Sequence, residues 1–252
     1  MQRVRSKWSK TKILMKNEHL LPYVPHTKRY SRSSLSSMLE QYGMVYVKPI
    51  SGTHGKGVIR VEYLPEKSSC RYQINNTIKS CSTFNDLHQA LLAYTHKKKY
   101  IVQKGIYLLK HHKRRFDIRV MVQKNLRNKW ETTGIIGRLS HPERIVTNYH
   151  NGGTMISFEK LLSEHLSPAT IAGYKSDLRR LGAEIGRQLS TAYPRLKELG
   201  IDVAIDKKLH PWVLEVNTKP HPYVFRMLKD KSVYQKIRRY SLAYGGMKGK
   251  SK

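Results

Sequence analysis

The stretch from Gly200 to Asn217 limits the fold of this chain more than any other segment, because it has the pattern of a β-hairpin. Two runs rich in apolar residues flank a turn, and a turn centred on residues 208 and 209 places Asp202 directly opposite Glu215. Two carboxylates that face each other across a sheet repel and destabilise it. The hairpin therefore predicts an antiparallel sheet in which a cation lies between these two side chains.

The same hairpin offers a third oxygen ligand. Asn217 lies on the same face as Glu215, two residues further along the strand. Carboxylate and amide oxygens suit Mg²⁺ or Mn²⁺ better than Zn²⁺. Asp202, Glu215 and Asn217 are therefore candidate metal ligands. The alternative is a register that differs by two residues, which leaves both carboxylates as solvated surface groups.

A glycine-rich loop lies nearer the N-terminus, between two predicted strands at residues 44–48 and 58–63. It contains Gly52, Gly55 and Gly57, and Lys48 stands at the end of the strand that enters it. Glycines let backbone N–H groups approach an anion closely, and a lysine at this point can reach a phosphate. The loop has neither the following helix nor the Gly-Lys-Ser/Thr of a Walker loop. An ordinary tight turn is the alternative.

Asp117 and Arg119 lie on one face of a predicted strand at residues 115–123, while apolar residues occupy its other face. A charged pair on an otherwise apolar strand lines either a cleft or an outer surface. The alternative to a functional cleft is a solvated ion pair on an exposed sheet.

The charge balance points to an anionic partner. Lys and Arg number 48 against 17 Asp and Glu, which gives a formal net charge of +31 and excludes an acidic or near-neutral protein. No acid occurs between Asp86 and Asp117 or after Asp230. Such asymmetry predicts nucleic acid, an anionic membrane or polymer, or the triphosphate of a nucleotide as the partner. A solvated basic surface is the alternative.

The chain is expected to be a soluble, cytoplasmic protein. No window approaches the roughly 18 consecutive apolar residues of a spanning helix, and the basic N-terminus precedes no apolar leader segment. Cys70 and Cys81 are the two cysteines, and their spacing matches neither a zinc site nor a redox motif. Reduced thiols are expected.

Periodicity predicts a mixed α and β order, with an α+β fold. A basic arm is expected at 1–12, a helix at 31–42 that stops at Gly43, and a hairpin with Asn75 and Asn76 at its tip. Further helices are predicted from Thr83 to Tyr94 and from Ser167 to Pro194, and further strands at 100–103, 115–123, 130–139, 201–205 and 212–216.

Taken together, the order and spacing of these elements resemble the ATP-grasp superfamily, and within it the YheC/YheD-like endospore coat-associated family. The resemblance covers residues 6 to about 230. The matching segments are Ser6–Trp8, Leu21–Thr27, Tyr46–Pro49, Gly52–Gly57, Phe116–Arg119, Asn151–Gly153 and Leu214–Thr218. The Lys-Pro, Asp-Ile-Arg and Glu-Val-Asn elements in this order are specific, whereas the glycine loop alone is not.

The resemblance implies a role for each matching residue. Lys48 would contact the α- and β-phosphates of ATP, Arg119 the γ-phosphate, and Arg138 an acyl phosphate; these three are the implied catalytic residues. Asp202, Glu215 and Asn217 would hold Mg²⁺ or Mn²⁺. The implied nucleotide contacts are Lys7, Lys48, Ser51, Gly52, Gly55, Lys56, Gly57, Gln103, Lys104, Ile106 and Arg119. The implied substrate-side residues are Arg138, Asn148, Asn151 and Gly152.

One position departs from the family pattern. The family usually has an acid near the adenine hinge to bind the ribose, and this chain has Gln103 and Lys104 there. The departure leaves open which nucleotide is preferred.

The resemblance also implies two α+β subdomains that clamp ATP, with the N-terminal pre-ATP-grasp domain largely absent. The expected division is a basic arm and lead-in helix at 1–43, an ATP-grasp domain at 44–230, and a basic helix and tail at 231–252. Within the domain, residues 44–106 would form a smaller lid-like subdomain and 107–230 a larger metal-binding one.

The implied activity is ligation of a carboxylate to an amine through an acyl phosphate, with both substrates unspecified and a spore-associated location. Two alternatives remain. One is a catalytically silent structural protein of the spore coat, and the other is a basic protein that binds nucleic acid or another polyanionic partner.

Overall fold

A computed structural model gives the structure of the protein and describes residues 2–52, 55–140 and 154–247. It contains two antiparallel sheets with helices packed against them, so the fold is α+β as predicted. Among the described residues, no helix is both long enough and apolar enough to cross a bilayer.

The first sheet has the strand order β1-β6-β2-β3-β4-β5. Helices α2 (Arg32–Tyr42) and α3 (Phe84–Thr95) cover one of its faces. Their buried leucines pack with Val45 and Val47 into one apolar core. The strands are β1 (Thr27–Arg29), β2 (Met44–Pro49), β3 (Ile59–Leu64), β4 (Ser69–Ile74), β5 (Thr77–Cys81) and β6 (Tyr100–Lys104).

The second sheet has the order β10-β9-β8-β11-β12, and the short strand β7 pairs with β8. Helices α1 (Lys7–Leu14), α4 (Phe158–Leu162) and α5 (Pro168–Ala192) pack on one face, while α6 (Lys231–Ala243) packs on the other. The strands are β7 (Lys110–His111), β8 (Arg114–Lys124), β9 (Trp130–Leu139), β10 (Thr154–Ile156), β11 (Glu198–Ile205) and β12 (Pro211–Asn217).

Strand β8 separates a core face from a polar face. Phe116, Ile118 and Val120 join the core under α5, so Asp117 and Arg119 must point to the opposite side. Both charged residues are buried nonetheless. The exposed ion pair considered from the sequence is therefore wrong, and the polar side chains line the interior of the molecule.

Several local signals confirm the sequence analysis. Ser31 with Ser34 and Thr83 with Asp86 form reciprocal capping boxes at the start of α2 and α3. Gly43 ends α2 in the left-handed conformation, which a glycine adopts at little cost. The long helix and the predicted hairpins form with boundaries within a few residues of those expected.

The N-terminal segment differs from the expected arm. Residues 7–14 form a helix because Ser6 caps it, accepting a hydrogen bond from the Ser9 N–H. This helix packs on the second sheet, whereas Thr27–Arg29 adds an edge strand to the first. Residues 2–43 therefore contribute to both sheets with their helices.

Two glycines on α5 bring that helix close to the second sheet. A Cβ atom at Gly186 would lie 2.6 Å from the Trp130 ring, whereas a Cβ atom at Gly173, on the same helix, would meet nothing within 4 Å. Gly182 lies one turn before Gly186 and is equally confined, with 2.6 Å to the Thr132 hydroxyl. The close packing of α5 against the second sheet thus requires glycine at positions 182 and 186.

We expect Gly186→Ala to lower the free energy of unfolding by about 1–3 kcal/mol through overpacking against Trp130. The matched control, Gly173→Ala, should raise it by up to about 1 kcal/mol because alanine favours a helix more than glycine does. Urea unfolding of both variants measures the difference. Equal effects of the two changes would contradict the close helix–sheet contact.

Candidate functional site

The candidate site lies on the polar face of the second sheet, opposite the core under α5. Arg119 on β8, Asp202 on β11 and Glu215 on β12 occupy this face. Lys7 from α1 contacts Glu215. Lys48 on β2 of the first sheet interacts electrostatically with Glu215 and Asp202. The structure thus brings together predicted residues from both sheets.

Asp117 and Arg138 form the most buried ion pair of this face. They are direct partners across β8 and β9. Nε and Nη2 of Arg138 donate to the two carboxylate oxygens of Asp117, each over 2.6 Å. Each residue is 3% exposed. A two-pronged bond of this kind fixes the orientation of both side chains.

Arg119 and Asp202 form the second pair, again directly opposite each other across two strands. Nε of Arg119 donates to Oδ1 of Asp202 over 2.6 Å, and Nη2 of Arg138 lies 3.0 Å from the same oxygen. Asp202 therefore connects both arginines. The four charges balance, which is what a buried polar cluster requires.

The pKa shifts agree with this balance. Burial acts to raise the pKa of Asp202, but Arg119 and Arg138 outweigh burial and lower it. Burial acts to lower the pKa of Arg138, and the carboxylates of Asp117 and Asp202 outweigh that effect and raise it. Asp202 and Arg138 are therefore both charged at neutral pH.

Gly200 provides the space that Arg119 occupies. A Cβ atom at this position would lie 2.8 Å from Cβ of Pro220 and 3.2 Å from Nη1 of Arg119. Gly200 pairs with Asn217 in the hairpin, so the gap lies beside two predicted site residues. The absence of a side chain here is a requirement of the site.

The predicted register of the hairpin is confirmed: Asp202 pairs with Glu215. A bulge follows, since Val203 pairs with Val213, and Leu214 is the additional residue. The repulsion between the two carboxylates is offset by the two arginines at Asp202 and by Lys7, whose Nζ lies 3.5 Å from Oε1 of Glu215. Side-chain cations thus provide the compensation for which the sequence predicted a metal ion.

Lys7 connects the two sheets, and Lys48 is held within the first. Lys48 donates to Oε1 of Gln103 over 2.5 Å, and Gln103 donates onward to the Thr27 hydroxyl. Burial lowers the pKa of Lys48 to about 8, an effect that Glu215 partly opposes. Lys7 donates to the carbonyl of Gly52 over 3.0 Å and so links α1 to the glycine loop.

Lys10 is a site residue that the sequence analysis missed. It is buried one turn after Lys7, and its Nζ donates to the carbonyl of Val4 over 3.0 Å. Burial lowers its pKa to about 8, again with Glu215 opposing. The signal was present, because lysines three residues apart lie on one face of a helix, but residues 1–12 were not predicted to be helical.

At the predicted adenine hinge, the residues expected to contact the nucleotide contact other parts of the protein. Gln103 is buried and positions Lys48, while Lys104 lies over the Trp212 ring, with Nζ 4.6 Å from the ring centre. At Gly105 a Cβ atom would lie 2.8 Å from the carbonyl oxygen of Met44, so the backbone approaches closely there. Ile106 follows as a buried apolar residue.

The described part of the glycine loop is exposed or partly exposed. Gly55 and Gly57 have φ angles of 72° and 75°, which favour glycine, and Lys56 between them is exposed. Ser51 and Gly52 line a cavity of about 800 Å³ together with Glu215 and Asn217. Basic residues form much of its wall: Arg3, Arg5, Lys10, Lys98, Lys99 and Lys219.

Three predicted substrate-side residues, Asn148, Asn151 and Gly152, lie outside the described residues. The remaining predicted residues are placed as above. The sequence analysis placed Asp117 on a charged strand face but did not identify its partner Arg138. It did not assign Gly200, because the side chains that confine it, Arg119 and Pro220, lie far along the chain.

The cavity suits an anionic ligand with a divalent cation. Glu215 and Asn217 present oxygen atoms at its wall, and lysines and arginines surround them. Oxygen donors of this kind fit Mg²⁺, and the basic groups fit phosphates. Asp202 offers less to a metal ion, since its Oδ1 already accepts from two arginines.

Comparison with known proteins identifies relatives of the chain. The family described as YheC/D like ATP-grasp matches residues 2–247. The endospore coat-associated protein YheC of Bacillus subtilis (strain 168) is 25% identical over 220 residues, which cover 85% of this chain and 59% of YheC. The endospore coat-associated protein YheD of the same strain is 21% identical over 228 residues, which cover 87% of this chain and 49% of YheD. The chain thus spans about half to three-fifths of the length of these curated relatives.

A solved structure shows the same fold. The crystal structure of the D-cycloserine synthetase DcsG superposes with a TM-score of 0.59 and 10% identity, and covers 95% of this chain and 70% of that chain. At this identity the likeness concerns the fold alone.

The buried pair gives a test of the site's architecture. We expect Asp117→Asn to lower the free energy of unfolding by about 3 kcal/mol or more, because Arg138 then keeps a buried charge with half of its compensation. The control is Asp177→Asn, which removes one partner of the exposed pair with Arg180 and should change stability by less than about 0.5 kcal/mol. Urea unfolding measures both. Comparable losses would show that the Asp117 pair behaves as a surface pair.

Proposed function

The chain belongs to the YheC/D-like ATP-grasp family, and on this premise we propose that it binds Mg-ATP between its two sheets and acts as a carboxylate–amine ligase. The observation that carries the proposal is the convergence of Lys48, Arg119 and Glu215. These residues come from three separate segments that match the family pattern. Arg119 and Glu215 lie on one polar face of the second sheet, and Lys48 of the first sheet interacts electrostatically with Glu215.

The triphosphate would bind among the basic groups. Lys48 and Lys7 are held within reach of the glycine loop and of Glu215, and Ser51, Gly52, Gly55, Lys56 and Gly57 would close over the phosphates. Arg119 would contact the γ-phosphate. Because its Nε donates to Asp202 in this structure, that contact requires the other guanidinium nitrogens or an exchange of partner.

Glu215 and Asn217, with the free oxygen of Asp202, would hold Mg²⁺. The bound ion would neutralise charge that develops on the transferred phosphoryl group. The oxygen donor set fits such an ion, and Glu215 and Asn217 line the open cavity. Adenine would lie at Gln103, Lys104 and Ile106, where Lys104 already rests on an aromatic ring.

The proposed reaction has two steps. A carboxylate oxygen attacks the γ-phosphorus, an acyl phosphate forms, and ADP leaves. An amine nitrogen then attacks the acyl carbon, loses its proton, and inorganic phosphate leaves. The protein's part is to orient the reactants and neutralise the phosphates. Arg138 would stabilise the acyl phosphate, for which its contact with Asp202 must be exchanged, and Asn148, Asn151 and Gly152 would line the substrate side.

A spore-associated location is proposed from the relatives, since YheC and YheD are described as endospore coat-associated proteins. The high positive charge of the chain suits an anionic partner in such a structure.

Ligand binding gives the direct test. Millimolar Mg-ATP should raise the melting temperature, because a ligand about a thousandfold above its dissociation constant stabilises the native state by about 4 kcal/mol. Glu215→Gln should lose the Mg²⁺-dependent part of this shift. Its ligand-free melting temperature should change little, because relief of the repulsion from Asp202 and loss of the ion pair with Lys7 oppose each other. The control, Glu40→Gln, changes an exposed carboxylate on α2 and should behave as wild type.

Two outcomes would contradict the proposal. A melting temperature unmoved by Mg-ATP would exclude the nucleotide site. A loss of more than about 2 kcal/mol in the free energy of unfolding of ligand-free Glu215→Gln would make Glu215 a structural hydrogen-bond acceptor.

Turnover is tested by ADP release against a panel of amino acids and peptides with free carboxylates and amines. Mg-ATP binding without ADP release across the panel would support the catalytically silent alternative.

The pKa of Lys48 gives a pH test. Its value of about 8 in the folded protein lies below its ordinary 10.5, so the unfolded chain binds more protons between these values. Lys48 therefore makes the protein more stable as pH rises from 8 to 10.5. Phosphate binding has the opposite sign, because it needs the ammonium form. We expect ATP affinity to fall by about tenfold between about pH 7 and about pH 9.

The control for this test is Lys10, whose pKa is lowered to the same value. Lys48→Arg keeps its charge at all these pH values, so its ATP affinity should no longer depend on pH. Lys10→Arg should keep the wild-type dependence. Titration calorimetry at several pH values measures both, and the reverse pattern would assign the phosphate contact to Lys10.

A further inference from the structure

Three metal-ligating side chains meet away from the proposed ATP site, at the turn between β7 and β8. They are His111 and His112 from the turn and Glu164 from the segment that follows α4. One ligand atom of each residue lies within 4.8 Å of the other two. None of the three has a role in the proposed ligase chemistry.

His111 is the central observation. Its ring is 3% exposed, and its Nδ1 has no hydrogen-bond partner among the residues that the structure describes. This atom faces Oε1 of Glu164 at 3.4 Å, beyond a well-formed hydrogen bond. A buried nitrogen without a partner is costly unless another group satisfies it. A cation between the nitrogen and the carboxylate satisfies both atoms.

The separation of the donors fits zinc. With metal–ligand distances of about 2.0–2.2 Å, two ligands of a tetrahedral Zn²⁺ ion lie about 3.4 Å apart, and Nδ1 of His111 lies 3.4 Å from Oε1 of Glu164. Nδ1 of His112 lies 2.7 Å from the same oxygen, so it must move outward by about 0.7 Å. The His112 side chain is 75% exposed and is free to do so.

The surrounding backbone holds the ligands in place. His112 and Lys113 have φ angles of 46° and 63°, which form a tight turn and bring two consecutive histidines to one point. The other oxygen of Glu164, Oε2, accepts from the backbone N–H of His112 over 3.2 Å. The ring of His111 also contacts the backbone of Leu161. Hydrogen bonds of this kind orient metal ligands in proteins.

We propose that His111, His112 and Glu164 bind one Zn²⁺ ion, with a fourth position open to solvent. Two imidazoles and a carboxylate select Zn²⁺ or a similar transition metal over Mg²⁺, which prefers oxygen ligands. The ion would tie the start of β8 to the segment after α4. Since Asp117 and Arg119 lie on β8, this site would stabilise the strand that carries the buried charge cluster.

The test is zinc binding by the full chain without an affinity tag, after treatment with a chelator. Calorimetric titration with Zn²⁺ in excess Mg²⁺ should show one site, and Co²⁺ should give the visible absorption of a tetrahedral complex. His112→Ala and Glu164→Gln should each weaken zinc binding by at least about 100-fold, more than the loss of an orienting contact costs. Both change solvent-accessible side chains, so folding is retained and is checked by thermal melting.

Two control variants separate this site from others. His96→Gln changes an exposed histidine on the first layer, and Glu215→Gln changes the proposed magnesium site; both should bind zinc as wild type. Absence of a zinc site, or binding unchanged in His112→Ala and Glu164→Gln, would overturn the proposal. So would loss of zinc binding in Glu215→Gln, which would place the zinc in the magnesium site.

Discussion

The structure depends on one buried charge cluster, in which Asp117, Arg138, Asp202 and Arg119 hold three neighbouring strands in register. The two arginines and two aspartates bond directly across β9, β8 and β11. A slip of one residue in any of these strands would turn the charges into the apolar core under α5. The cluster therefore selects a single alignment of the second sheet, at the cost of burying four ions that must remain together.

The cluster also explains how a strongly basic chain keeps an ordered polar interior. Two of its 17 acidic residues lie in this cluster and Glu215 lies beside it, so each of the two buried arginines has an acidic partner. Lys7 and Lys48 extend the network to the glycine loop and to the first sheet. Closure of the two layers on an anion would thus reorganise contacts that already exist.

The parts of the fold that could be predicted from the sequence are those decided by neighbouring residues. The caps at Ser31 and Thr83, the left-handed Gly43 and the register of the Asp202–Glu215 hairpin all follow from short spacings. Three-residue strands such as Thr27–Arg29 and Thr154–Ile156 are too short to show a period. The first helix has few apolar residues, so only its serine cap marks it.

The partners within the site could not be predicted, because they are distant in the chain. Arg119 and Asp202 are 83 residues apart, and Asp117 and Arg138 are 21 apart. The sequence indicated the right face for these charges and the right pairing of Asp202 with Glu215. It could not show that arginines, and not a metal ion alone, meet that carboxylate. Tertiary pairing of strands decides this, and no local pattern contains it.

Gly200 couples the site sterically to two other positions in the chain. Its missing side chain leaves room for the Arg119 guanidinium and for Pro220, which lie close to where a Cβ atom would stand. A change at any of these three positions alters the space available to the other two, so their effects on stability are coupled although they are spread over about a hundred residues. We therefore expect these three positions to covary among relatives of the chain.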